Sequence, residues 1–246
     1  LSADQTSRTD ALFELFGKKV WLDSDAKRDA PGVEGSDFDY GAVLVGVRHS
    51  RLIWPELGPS SVSASLGQSW SGGQREALWQ EVQLQQTARQ GEQAAWRYTV
   101  SLRNETRNDE PIKDSQALGF SATWTTVQNG GRNLSLGALV RSTWSDSGTV
   151  DNLALGLNAS HTLPTWGAIL PRVTAEAVTR DYRKWATTPG GRRDDTLNLS
   201  LEMTFPEFRY YGFSPKATLR ARRAWSDVDI YDRRSLSVGL TAVTRF

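Results

Sequence analysis

His49 and His161 are the two imidazoles of the chain, and a nucleophilic hydrolase would have to be built on one of them. Each has a serine beside it, Ser50 and Ser160. Successive side chains of a strand point to opposite faces, so on strands neither pair can make the Ser–His contact that acyl transfer needs. Both histidines fall near strand ends, and His161 shares a face with Leu157 and Leu163, which suits an interfacial imidazole better than a catalytic base. Without cysteine the chain has no disulfide, thiolate nucleophile or Cys-ligated metal. Asp23, Asp25 and Asp29, and Asp227, Asp229 and Asp232, offer oxygen ligands but lack the glycine-punctuated spacing of a calcium loop, so they read as solvated surface loops. No phosphate-binding glycine loop is present, and neither an enzyme nor a cofactor is expected.

The remaining chemistry is electrostatic. Arg97, Arg103, Arg141, Arg172, Arg180, Lys216, Arg220, Arg222 and Arg245 alternate with apolar residues and outnumber Glu81, Glu105, Glu176 and Glu202 on the same polar face. Charged walls tune what enters an enclosed lumen. The competing reading is that these residues pair across the interior and fill it.

What positions them is a β-architecture. Leu197, Leu199, Leu201, Met203 and Phe205 alternate with Asn198, Ser200, Glu202 and Thr204, the period of a strand. The pattern recurs at Leu153, Leu155 and Leu157, at Leu134, Leu136 and Val140, at Leu118, Phe120 and Trp124, at Trp96, Tyr98 and Val100, at Val62 and Leu66, and at Leu236, Val238 and Leu240. Turn-forming residues separate the runs, as at Gly72 and Gly73, Gly130 and Gly131, and Gly190 and Gly191. About twelve strands of about 10 to 14 residues result, far longer than the strands of soluble sandwiches and suited to tilted membrane crossings. Residues 10–22 fit either the first strand, through Leu12, Phe16, Val20 and Leu22, or an amphipathic helix.

Composition agrees. With 29 Lys+Arg against 28 Asp+Glu the net charge is +1, so no nucleic-acid partner is expected. The longest apolar run, residues 42–47, excludes a membrane-spanning helix. The first residues lack signal-peptide features, which leaves a cytoplasmic chain or one whose targeting segment has been removed. Counting back from a last strand that descends to the periplasm puts Trp21, Trp70, Trp79, Trp144, Tyr182, Trp185 and Trp225 at upper strand ends. Trp54, Trp96, Trp124, Trp166, Tyr210, Tyr211 and Phe246 fall at lower ends. Two aromatic belts are what the two interfaces of a bilayer select.

The final run, in which Leu236, Val238 and Leu240 alternate before the terminal Phe246, resembles the strand by which the outer-membrane assembly machinery recognises its clients. More narrowly, Gly212, Phe213, Ser214 and Pro215, followed by Ser226, Tyr231 and Arg233, resemble the closing hairpin of the surface lipoprotein assembly modifier family (Slam, DUF560). The match is partial: Asp227 stands where that family usually has Asn, and Tyr231 is the single member of its tyrosine pair. The resemblance implies a barrel that delivers a client protein, commonly a lipoprotein, through a lumen or a seam between first and last strands. It also implies an N-terminal domain of tetratricopeptide repeats, and no repeat of about 34 residues occurs here. The expectation is thus an all-β, up-and-down antiparallel transmembrane β-barrel of about 12 to 14 strands over residues 1–246, with a polar lead-in at 1–10. It would lie in the outer membrane of a Gram-negative bacterium, with outer-membrane lipids and the assembly machinery as partners. Two functions fit, a translocation barrel and a small passive porin or structural anchor with an anion-favouring interior.

Overall fold

The computed structural model describes residues 7–18, 40–54, 58–108, 110–128, 132–183, 191–208, 213–228 and 232–244. Twelve strands follow one another: β1 (Ser7–Lys18), β2 (Tyr40–Trp54), β3 (Gly58–Ser71), β4 (Gln74–Gln90), β5 (Ala94–Arg107), β6 (Ser115–Gln128), β7 (Arg132–Ser145), β8 (Asn152–Thr162), β9 (Leu170–Tyr182), β10 (Arg192–Thr204), β11 (Phe213–Ser226) and β12 (Arg233–Thr244). They form one antiparallel sheet in sequential order from β1 to β12, and β1 lies beside β12. Among the described residues no helix is long and apolar enough to cross a membrane. The shortest strand, β8, has 11 residues. At about 3.3 Å per residue and a tilt of about 45° that still rises about 25 Å, the height of a barrel's apolar band.

The turn chemistry is local. Gly72 (φ 56°) and Gly73 (φ 80°) make the two-residue connection from β3 to β4. Positive φ at both positions is the hairpin turn whose twist matches the strands it joins.

The sheet is inverted relative to a soluble protein. Leu157 is 67% exposed, Leu236 66% and Val238 62%, whereas the buried apolar residues are mostly small, among them Ala77, Ala117 and Ala154. An apolar surface on this scale has no stable solution in water and is matched by lipid. The stripe is continuous around the sheet: Val45 pairs with Leu66, Leu84 with Val100, Phe120 with Val140 and Leu219 with Val238.

Three features differ from the sequence-based expectation. Residues 7–10 belong to β1 and are no lead-in, and the segment from residue 10 is strand as far as Lys18. Its outward residues are Phe13 and Leu15, 55% and 58% exposed, while Leu12 sits opposite Gly46 on the inner face. Leu12 on one face and Phe13 and Leu15 on the other put apolar groups on both, so only pairing with β2 selects the parity. Trp79 and Tyr182 do not join the aromatic belts. Trp79 lies inward in register with Gly67 and Glu105, and Tyr182 inward in register with Arg192. Trp70, Trp144 and Trp225 remain on the outer face toward the upper ends, and Trp96 and Trp124 toward the lower, where Trp96 stacks on Tyr98. Trp21, Trp185, Tyr210, Tyr211 and Phe246 lie outside the described residues.

Candidate functional site

The inner face carries two unlike walls. On β3 to β5 the charges are paired. Arg103 meets Glu105 at 2.7 Å, and Arg107 bridges Glu105 at 2.9 Å and Glu76 at 3.1 Å. The Arg103 guanidinium lies 4.6 Å from the centre of the Trp79 ring, which stacks a cation on an aromatic face. Trp79 fits because Gly67 faces it across the strand pair: a Cβ at Gly67 would come within 2.2 Å of the indole. Glu76 reaches this group through the register shift at Ser69 and Trp70, where Ser69 Oγ also donates to it at 3.3 Å.

On β7 to β11 the cations stand apart. Among the described residues Arg141, Arg180, Arg220 and Arg222 have no carboxylate at ion-pair distance, nor has Arg97 lower on β5. Arg141 and Arg180 flank the buried Ala154 in register, so their Cα atoms are about 10 Å apart at the usual strand spacing. Arg220 and Arg222 follow on β11 opposite Ser200 and Asn198. Arg172 donates to Ser160 Oγ at 2.6 and 3.2 Å, and Lys216 Nζ lies 3.7 Å from Glu202. Glu176 accepts from Asn198 at 3.0 Å. Arg141 lies within electrostatic reach of Glu81, Glu105 and Arg103, so the two walls act on a common space.

At the upper rim Arg192, buried to 5% exposure, packs 3.8 Å above the Tyr182 ring and meets Asp194 at 3.1 Å. Ser226 Oγ donates to the same carboxylate at 2.7 Å. Sequence reading missed Glu76, Trp79, Arg107, Tyr182 and Arg192. For Trp79 a signal existed, since it has the parity of Glu81 and Gln83; for Glu76 none did, because a bulge re-aims it.

The closing hairpin is described in part. Phe213 opens β11, Pro215 stands opposite Ala242, and the Pro215 carbonyl accepts from Phe205 N–H at 3.1 Å. Arg233 opens β12 opposite Ala224, Leu236 and Val238 face outward, and Leu240 pairs with Ala217. Gly212, Tyr231, Arg245 and Phe246 lie outside the described residues. Among the described residues no backbone ladder joins β12 to β1.

Neither histidine meets its neighbouring serine. His49 Nδ1 is 2.9 Å from Thr9 Oγ1, and His161 lies on the outer face between Leu134 and Val173 while Ser50 and Ser160 face inward. Among the described residues no group of three His, Asp or Glu side chains is placed to hold a metal. Asp227 accepts from Arg193 N–H at 3.0 Å, and Asp232 from Ser226 N–H at 2.7 Å, so both serve the loop backbone. Asp23, Asp25, Asp29 and Asp229 lie outside the described residues.

No protein-family model matches the chain, and no curated protein matches it in sequence. Among solved structures it resembles the KdgM porin, with a TM-score of 0.54, 10% identity, and coverage of 96% of this chain and 100% of that one. The KdgM porin in complex with disordered oligogalacturonate gives 0.52 at 10% identity, and LpxR from Salmonella typhimurium 0.52 at 8%, each with coverage of 96% and 100%. At such identities the likeness is one of fold. With its lipid-facing leucine belt, the chain has the fold of a twelve-stranded antiparallel outer-membrane β-barrel.

Proposed function

We propose that the chain is a channel of the Gram-negative outer membrane that favours anionic solutes, with acidic oligosaccharides the first class to test. The observation that carries this reading is the wall of arginines on β7 to β11 without carboxylate partners among the described residues. A guanidinium remains charged at every physiological pH, so such a wall concentrates anions and repels cations along its length. Arg141, Arg172, Arg180, Lys216, Arg220 and Arg222 are its working residues, with Lys216 tempered by Glu202, and from β5 Arg97 and the Glu105-paired Arg103 add to the same interior charge. The porin whose fold the chain shares has been seen with an oligogalacturonate, which favours a polyanion as a probe. The test is single-channel recording of the refolded barrel in a planar bilayer under a salt gradient. Steady conductance with an anion-selective reversal potential is expected; a barrel that folds and does not conduct overturns the reading.

A second reading, a translocation barrel of the surface lipoprotein assembly type, draws on the closing hairpin and on the seam. Gly212, Phe213, Pro215, Ser226, Tyr231 and Arg233 resemble that family, and β12 and β1 lie side by side without a ladder among the described residues. A client lipoprotein would be the partner, and Leu236, Val238, Leu240 and Phe246 would form the signal read by the barrel assembly machinery. Release of a client from reconstituted vesicles by a non-conducting barrel favours this reading over the channel.

A further inference from the structure

Arginines on a lipid-facing surface call for an explanation, and two of them stand opposite each other where β11 meets β12. Arg223 pairs in register with Arg234, on the same face as Leu219, Leu236 and Val238. Like charges directly opposed across a strand pair repel. Asp232 offsets one of them, 3.2 Å from the Arg223 guanidinium, while Arg234 is exposed and has no ion-pair partner among the described residues. On the next strand Arg193 and Asp195 pair with each other at 3.6 Å, leaving the excess positive charge in the groove itself.

That groove, about 600 Å³ in volume, has a basic rim above an apolar floor of Leu197, Leu199, Ala221 and Leu236, with Trp225 at its side. Arg223 stacks 5.5 Å from the Trp225 ring, and an outward tryptophan marks headgroup depth. The two arginines stand three residues before the end of β11 and one after the start of β12, at the end of the barrel where 21 residues of chain separate β1 from β2. Long connections face the cell exterior in outer-membrane barrels.

We propose that this groove binds an anionic phosphate-bearing lipid of the outer leaflet, its phosphate between Arg223 and Arg234 and an acyl chain along Leu197, Leu199 and Leu236. Guanidinium groups match phosphate oxygens in paired hydrogen bonds, and a net positive rim over an apolar floor complements an anionic headgroup joined to a chain. The occupant is a lipid because the floor is hydrocarbon and continuous with the belt. The site is independent of what passes through the lumen.

The test uses the folded chain in non-ionic detergent, titrated with bisphosphorylated lipid A, phosphatidylglycerol or phosphatidylcholine, with bound lipid read by native mass spectrometry. Wild type is expected to retain the two anionic lipids in preference to phosphatidylcholine. The R223Q/R234Q variant, and R234Q alone should the double variant fold poorly, should retain them about tenfold less, as loss of charge-assisted contacts predicts. R51Q, near the end of β2 opposite Ser7 and so at the other end of the barrel, should leave retention unchanged. Equal retention by wild type and R234Q, an equal loss in R51Q, or displacement of the lipid by inorganic phosphate at equal concentration would overturn the proposal.

Discussion

The two walls of the interior use the same residue type in opposite ways. Near Trp79 each arginine has a carboxylate: Arg103 and Arg107 converge on Glu105, with side chains only 25% and 29% exposed and Glu105 17%. Across the lumen Arg141, Arg220 and Arg222 are exposed and without such partners among the described residues. Taking an ion out of water costs several kcal/mol unless a partner with good geometry compensates. The paired wall can therefore be dry and rigid, whereas the unpaired wall persists only where water or a passing anion solvates it. On the channel reading proposed above, this difference would put the water-filled path along β7 to β11.

Inverting the unpaired wall should have the largest effect. The double variant Arg141→Glu with Arg220→Glu is expected to turn anion preference into cation preference, read as a change of sign in the reversal potential, with the barrel still folded. Unchanged selectivity in a folded barrel would reduce the arginines to filler. Smaller effects are expected from substitutions that contrast the inner face of a strand with its lipid-facing side. Leu199→Arg should cost about 2 to 4 kcal/mol in refolding titrations into bilayers, whereas Ser200→Arg on the inner face should be tolerated. Equal costs on the two faces would break the barrel reading itself.

Within the paired wall, Glu105→Gln removes the carboxylate shared by Arg103 and Arg107. It should cost about 1.5 to 3 kcal/mol in the same titration, since charge-assisted hydrogen bonds are lost. It should also strengthen anion preference, because Arg103 is released toward the lumen while Glu76 still holds Arg107; a variant as stable as wild type would show that the pairing is incidental. Gly67→Ala tests the floor on which Trp79 rests. A methyl group there collides with the indole, and about 1 to 3 kcal/mol of overpacking cost is expected, together with a shift in tryptophan emission as the ring leaves Arg103.

Much of this architecture was legible in the chain. The alternation around Leu157, Val100 and Leu199 marked strands, their spacing, and which residues face lipid, because a pleated strand has a strict period of two and a bilayer rewards one face only. Where the period was ambiguous, reading failed: β1 has apolar residues on both faces, and pairing with β2 turned Phe13 and Leu15 outward. The aromatic belts were legible for Trp96, Trp144 and Trp225, but Trp79 followed the parity of Glu81 into the interior.

The sequence by itself determined the class of fold, the strand count near twelve and the sorting of leucines from arginines onto opposite faces, since these follow from local periodicity and turn residues. Only the tertiary structure decided which arginines gain partners across strands. Arg103, Glu105 and Arg107 share one face of β5 at two-residue spacing, which local periodicity already brings together, but Glu76 joins Arg107 from β4, through a bulge and across 31 residues of chain. Ion pairing acts over a few ångströms in space, and register, bulges and the turn of the barrel set those distances, none of which a charge pattern along one chain encodes.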